Sequence, residues 1–349
     1  MLKNQFQRRL IYLMLVAIFA IALTACGTKT NSATNSNSST GQDVNKAGNK
    51  GASNAAPNTD AGSDSNAETV VYKDKLGEKK IPAHPKAVFT DQYLFQMLSL
   101  DSVPIGAVSY QVEDIMAIET NKISNVTNVG SPVNMEMVLA LQPDLIITAN
   151  EDSVAQYEQI APTVLLPWTS YDAFGQVEQI GILLGKEKEA KAWIEDFHKK
   201  EAEAKAQVAK MPGANETYSI FAIMGKDQFR VYGGRNIGHV FYRSLGLHAP
   251  ADVEKLFKGK EDEFVFETIS QEALPQLAGD NIIIVVYDTD ADSIASYNQL
   301  MESKLWKNIP AVQKGKFVRL DMDHWFGYNS LSLSYQLDKA LGVVQELQK

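Results

Sequence analysis

At 349 residues the chain has room for two or three domains. Its 33 Lys and Arg against 42 Asp and Glu give a net charge of −9; Lys3, Arg8 and Arg9 sit near the start, residues 27–68 set three lysines against four acids, and the body from Thr69 onward holds −11. That surplus argues against nucleic acid, which is held by clustered Lys and Arg, and against adsorption to anionic lipid by charge alone. A single cysteine excludes an internal disulfide framework and a thiolate metal cluster.

The first 25 residues read as an export signal. Lys3, Arg8 and Arg9 precede an apolar run from Leu10 to Leu23, too short to span a bilayer comfortably, followed by Thr24, Ala25 and Cys26. Leu23-Thr24-Ala25-Cys26 resembles the lipobox of bacterial lipoproteins, in which the cysteine thiol is diacylglycerol-modified and becomes the first mature residue. An ordinary secretory signal with an incidental cysteine is the alternative. Residues 26–68 have no aromatic residue and one branched aliphatic, Val44. Such a segment cannot bury enough apolar surface to offset its ordering entropy and is expected to be a disordered tether.

From Thr69 short β-branched runs alternate with helical stretches, the pattern of an α/β fold with largely parallel strands. Strands are expected at 88–90, 104–108, 145–149, 163–166, 219–224, 282–287 and 317–320. Lys186 to Lys210 breaks the alternation: free of Gly and Pro, rich in Ala, Glu and Lys, with sparse apolar Trp193, Ile194, Phe197 and Val208, it predicts one long, mostly solvated helix ending before Pro212-Gly213. A peripheral helix of one domain would read the same way, but an internal repeat favours a bridge. Asn134-Met135-Glu136 through Asp144-Leu145-Ile146-Ile147 is echoed 136 residues on by Ser270-Gln271-Glu272 through Asp280-Asn281-Ile282-Ile283, with Glu, Leu, Asp and two Ile in register. Each copy reads as loop, short helix, turn and buried strand, one on either side of the long helix. The expected organisation is an N-terminal lobe at 69–185, a bridging helix at 186–211 and a C-terminal lobe at 212–349.

Enzyme motifs are missing: no G-x-S-x-G, no H-E-x-x-H, no P-loop, and Gly233-Gly234-Arg235-Asn236-Ile237-Gly238 is not G-x-G-x-x-G. The five histidines lack ligand spacing, so no protein-held metal and no cofactor is expected. Glu136 and Glu272 stand out among the carboxylates. Each sits in a first helical turn, where the dipole favours negative charge, and local stabilisation explains either alone; duplication in both lobes points outward to a paired role.

Gly130-Ser131-Pro132, Asn134-Met135-Glu136, Leu141-Gln142-Pro143-Asp144-Leu145-Ile146, Ile180 to Lys186 leading into the long helix, and Ser270-Gln271-Glu272 together resemble the ABC-transporter solute-binding proteins for ferric siderophores, haem and cobalamin. The resemblance runs from about Val70 to the C-terminus. It implies two Rossmann-like lobes joined by one helix, a ligand cleft between them with little domain motion, and two glutamates, here Glu136 and Glu272, that dock into arginine pockets of a permease dimer. Charges far apart set orientation and on-rate more than affinity.

Loops at the carboxyl ends of strands should line the cleft. They nominate Tyr93, Tyr110, Trp168 and Tyr171 from the first lobe, and Arg230, Tyr232, Arg235, Tyr287, Trp325 and Tyr328 from the second. Because Phe229-Arg230-Val231-Tyr232 alternates like a strand, about half of these positions can equally be core. A siderophore wraps iron in its own oxygens, so aromatic faces and a few cationic donors suffice. A tris-catecholate chelate would demand a convergent cationic cluster, and only Arg230, Arg235 and Lys226 are placed to supply one, which favours a hydroxamate-type or mixed ligand. The expected protein is a monomeric, lipid-anchored receptor on the outer face of the cytoplasmic membrane of a Gram-positive-type cell, delivering ferric siderophore to an ABC permease. A haem or cobalamin receptor, with His324 or Tyr328 as axial ligand for haem, and a lipid-anchored surface hydrolase are the alternatives.

Overall fold

A computed structural model describes residues 68–260 and 263–349, all within the compact unit Pro57–Lys349. The signal segment, Cys26 and the tether lie outside the described residues. An antiparallel hairpin, β1 (Thr69–Asp74) and β2 (Gly77–Pro82), precedes the first lobe. That lobe comprises β3 (Val88–Thr90), α1 (Leu94–Ser99), β4 (Gly106–Ala107), β5 (Thr127–Asn128), α2 (Met135–Ala140), β6 (Leu145–Thr148), β7 (Thr163–Leu165) and α3 (Ala173–Leu184). The long helix α4 (Glu187–Val208) follows. The second lobe holds β8 (Tyr218–Ile223), β9 (Phe229–Tyr232), β10 (Phe266–Ile269), β11 (Asn281–Val286), α5 (Ala291–Glu302), β12 (Phe317–Asp321) and α6 (Ser330–Leu347), with short helical turns between them.

Each lobe is built on a five-stranded sheet. The first has the order β5-β4-β3-β6-β7, parallel throughout; the second has the order β10-β9-β8-β11-β12, with β8, β11 and β12 parallel and β9 and β10 antiparallel. Central strands such as Leu145–Thr148 and Asn281–Val286 are buried along their whole length, as sheets covered on both faces require. The sequence repeat has a structural counterpart in the strand clips. Asp144 accepts the N–H groups of Lys86 (2.7 Å) and Ala87 (3.0 Å) just before β3, and Asp280 accepts the N–H (2.9 Å) and hydroxyl (2.8 Å) of Thr217 just before β8. The same carboxylate, at the same place in each repeat, fixes the start of the neighbouring parallel strand.

The bridge begins where α3 stops. Gly185 takes a left-handed conformation (φ 64°) that caps α3, and a Cβ there would strike the Ala83 carbonyl and the His84 ring at 2.5 Å or less. Helix α4 then runs about 33 Å at 1.5 Å per residue. Its first turns send Ala190 into the N-terminal core beside Val177, Ile180 and Leu183. Its last turns send Ala204 and Val208 into the C-terminal core beside Tyr218, Phe241 and Leu337. Trp193 packs against both cores. The rest of its surface is solvated, which is why its sequence is so polar. The architecture is therefore two α/β lobes joined by one helix. Helix α6 adds a second tie: Ser330 Oγ lies 2.7 Å from Ser99 Oγ and donates to the Phe95 carbonyl (3.1 Å), while Leu331 and Tyr335 pack on the Leu94–Leu98 cluster of the first lobe.

Candidate functional site

In both sheets the chain order reverses beside the central strand, between β3 and β6 and between β8 and β11. Open α/β sheets bind ligands at the carboxyl ends of strands flanking such a reversal. Asp91, Gln92 and Tyr93 leave β3 there in the first lobe, and Met224 and Tyr287 leave β8 and β11 in the second.

The first wall is organised by Asp91. Its carboxylate accepts from Thr148 Oγ1 (2.6 Å), the Ala149 N–H (3.1 Å) and the Tyr157 hydroxyl (3.2 Å); burial nonetheless pushes its pKa up. Tyr110 is 44% exposed, but its hydroxyl turns inward to Gln92 Oε1 (2.7 Å) with the Asp91 carbonyl at 3.0 Å. Trp168 is half-buried, its ring 6.2 Å from that of Tyr93, and Tyr171 is exposed. Tyr93 itself has no accessible surface, because its hydroxyl is spent on the Leu166 carbonyl and its ring fills the sheet-to-α3 core. The expectation of a cleft-facing Tyr93 is corrected: it backs the wall.

The second wall centres on Arg230. Two residues apart on β9, Arg230 and Tyr232 share a face. The Arg230 guanidinium lies 4.1 Å over the Phe266 ring, and its Nη1 donates to Met224 Sδ (2.9 Å), which the Tyr232 hydroxyl also approaches at 3.6 Å. Its buried Nε has no partner, and among the described residues no carboxylate pairs with it. A buried donor without a partner on a half-buried cation is costly unless something anionic or strongly accepting arrives. Tyr287 is half-buried at the end of β11, and Arg235 stands 4.9 Å over the Tyr328 ring. Three further expectations are corrected by burial, that of Tyr328 because the residue is 6% exposed within the C-terminal core. The Tyr232 ring is wholly enclosed against Phe266, and Trp325 stacks on Phe241 at 5.3 Å inside the C-terminal core, because Met322–Trp325 forms a short helix that turns its apolar face inward. Phe266, Met224, Gln92, Phe174 and His239 were not anticipated. Only Phe266 had a readable signal, the short apolar run Phe264-Val265-Phe266 between charged Glu263 and Glu267.

Besides the Ser330–Ser99 tie, histidines mark two further places where the lobes meet. Phe174, in the first turn of α3, lies 5.9 Å from the His239 ring and 4.8 Å from that of His198 on the bridge. His324 of the second lobe holds Asp321 at Nδ1 (2.7 Å) and Glu119 of the first lobe at Nε2 (3.2 Å), and stacks on Tyr335. Burial alone would depress its pKa, but the two carboxylates outweigh burial and raise it. On the outer surface Glu136 and Glu272 are both exposed in first helical turns, one per lobe. Asn134 caps the N–H groups of Glu136 and Met137, while Glu272 is held below its usual pKa by its own backbone N–H and the Ser270 hydroxyl. Among the described residues no cluster of three or more His, Cys, Asp or Glu is arranged to hold a metal ion, and no helix is long and apolar enough to cross a membrane.

Residues 107–323 match the periplasmic binding protein family model. The iron(3+)-hydroxamate-binding protein YxeB of Bacillus subtilis is 34% identical over 277 residues, 78% of this chain and 84% of the relative. The iron(3+)-hydroxamate-binding protein FhuD of the same organism is 33% identical over 281 residues, 78% and 85%. Among solved structures, the FhuD fold-family periplasmic binding protein component of a Fep/Fec-like ferrichrome ABC transporter from Bacillus subtilis superposes with a TM-score of 0.69 at 29% identity, over 79% of this chain and all of that one. Twin lobes, a single bridging helix and these matches agree: the chain belongs to the periplasmic binding protein family, whose members bind solutes rather than transform them.

Proposed function

We propose that the protein is a monomeric receptor, lipid-anchored through Cys26 on the outer face of the cytoplasmic membrane, that captures a ferric hydroxamate siderophore between its lobes and delivers it to an ABC permease through Glu136 and Glu272. Relatives named for iron(3+)-hydroxamate binding support the ligand class. The observation that carries the reading is Arg230, a half-buried guanidinium with an unpartnered buried Nε, set against the Met224 thioether, the Phe266 ring and the Tyr232 hydroxyl, and with no carboxylate paired to it among the described residues. It is a single strong donor beside aromatic surface, suited to the oxygen-rich rim of a chelate that already satisfies its iron. Three hydroxamates neutralise iron(III), so such a cargo needs few cations and is not repelled by a body of net charge −11. A tris-catecholate complex carries three negative charges and would meet that field unfavourably.

Haem is the weaker reading. Both ring nitrogens of His324 are occupied by carboxylates and Tyr328 is buried under Arg235, which leaves neither as a ready axial ligand. Titrating tryptophan fluorescence with a ferric trihydroxamate, a ferric tris-catecholate and ferric citrate tests the proposal, with Trp168 as the reporter. Saturable quenching is expected for the trihydroxamate. In Arg230→Leu that affinity should fall about 10- to 100-fold, the worth of one charge-assisted hydrogen bond, with no loss of melting temperature. A flat response to all three chelates refutes the reading.

A further inference from the structure

His239 is the one buried imidazole at the meeting point of both lobes and the bridge. It opens the helical turn His239–Ser244, is 2% exposed, and has no hydrogen-bond partner at either ring nitrogen. Its ring is flanked by Tyr328 of its own lobe at 5.5 Å, edge to face, and by Phe174 of the other lobe at 5.9 Å. Gly238 makes that position rigid: a Cβ there would collide with the Gly233 carbonyl, so the backbone folds tightly just before the histidine. A core histidine normally spends at least one nitrogen on a carbonyl or hydroxyl, because an unpaired buried donor or acceptor costs its full desolvation. Here the immediate neighbours are aromatic faces, which satisfy neither nitrogen.

The surroundings also keep the ring uncharged. Burial first, then the positive charges of Arg243, Arg235 and the facing His198, hold its pKa down to about 3. A neutral imidazole offers one donor and one acceptor at once. Phe174, the ring that covers it from the other lobe, is only half-buried and stands in the first turn of α3, directly after the Trp168–Tyr171 loop.

We infer that His239 is a ligand-recognition residue: when Phe174 is displaced by cargo entering between the lobes, its two free nitrogens hydrogen-bond the amide or hydroxamate groups on the outside of the ferric chelate. This rests on the siderophore-receptor reading and adds to it a polar contact that accepts and donates together. Catecholate and carboxylate chelates present mainly acceptors at their rims, so they would use only the donor.

The test compares wild-type protein with His239→Phe and His239→Gln, titrated with ferrioxamine B and melted without ligand. Phe keeps the ring and removes both polar atoms. It should therefore raise the melting temperature, by ending an unsatisfied burial, while weakening ferrioxamine B about tenfold; Gln should stay within about threefold of wild type. An imidazole satisfied by an internal water would behave oppositely, and a His239→Phe protein that melts lower with affinity intact overturns the inference. As a readout independent of variants, the imidazole ¹⁵N resonances of His239 should shift when wild-type protein takes up the diamagnetic gallium(III) analogue of ferrioxamine B; unshifted resonances in a saturated sample overturn it too. Wild-type protein that binds no hydroxamate chelate sinks the functional reading, whereas tight wild-type binding matched by His239→Phe sinks only the role of His239.

Discussion

Phe197→Ala is the sharpest probe of the bridge. Phe197 lies near the middle of α4, is 3% exposed, and packs edge to face on Phe174 of the first lobe at 5.1 Å and stacked on Trp193 at 5.5 Å, within a core drawn mainly from the second lobe but including Ala173 of the first. Truncating a fully buried Phe to Ala costs about 3–5 kcal/mol, offset by about 0.5 kcal/mol because Ala is the better helix former. For roughly 280 described residues, each kcal/mol moves the melting temperature by about 2 °C, so a fall of about 5–9 °C is expected by calorimetry. Hydrogen exchange should quicken on both sides, in α3 around Phe174 and in the turn His239–Ser244. A drop below about 2 °C, or faster exchange confined to the second lobe, would refute a helix whose middle is gripped by both lobes.

Two histidines should give stability a maximum in pH. The folded state raises the pKa of His324, so the stabilisation from its Asp321 and Glu119 contacts is complete below the unfolded value near 6.5 and is lost as pH rises through the folded value. His239 is depressed to about 3, so the unfolded chain takes up its proton first and stability is lost as pH falls below about 6.5. Asp114, raised to about 6 by burial with Asp323 adding to it, returns part of that loss below pH 6. Melting temperatures from pH 5 to 8.5 should therefore peak near 6.5; His324→Asn should flatten the alkaline limb and His239→Phe the acid limb, and limbs parallel to wild type would refute these assignments. Replacing Glu136 and Glu272 together by Ala should leave ferric hydroxamate affinity unchanged and sharply lower iron uptake by cells. Lost affinity would show that these glutamates act on the cleft instead.

The architecture was readable because it is written in short-range patterns. Val88–Thr90, Leu145–Thr148 and Asn281–Val286 are β-branched runs buried on both faces, and the long helix betrays itself by lacking Gly and Pro while exposing most of its surface. The repeat placed Asp144 and Asp280 in register, and their equivalent clips on Ala87 and Thr217 follow from it. Strands of low apolar content, such as Thr127–Asn128 and the edge strand Phe266–Ile269, escaped for lack of a periodic signal. Side-chain direction was the harder matter. Tyr93 and Trp325 carry polar handles that sequence reading turned towards a ligand, yet packing used their rings as core. His239 and Phe174 are 65 positions apart, and Glu119 and His324 are 205 apart; only the docking of two lobes makes each pair neighbours.

The central claim is that both lobes grip one pre-chelated cargo at their seam. A crystal structure of the protein with ferrioxamine B tests it most directly. The account predicts the chelate between the sheets, touched from one side by the Tyr110–Trp168 wall and from the other by the Arg230 wall. A chelate held by one lobe alone, or on the outer surface near Glu136 or Glu272, would contradict it.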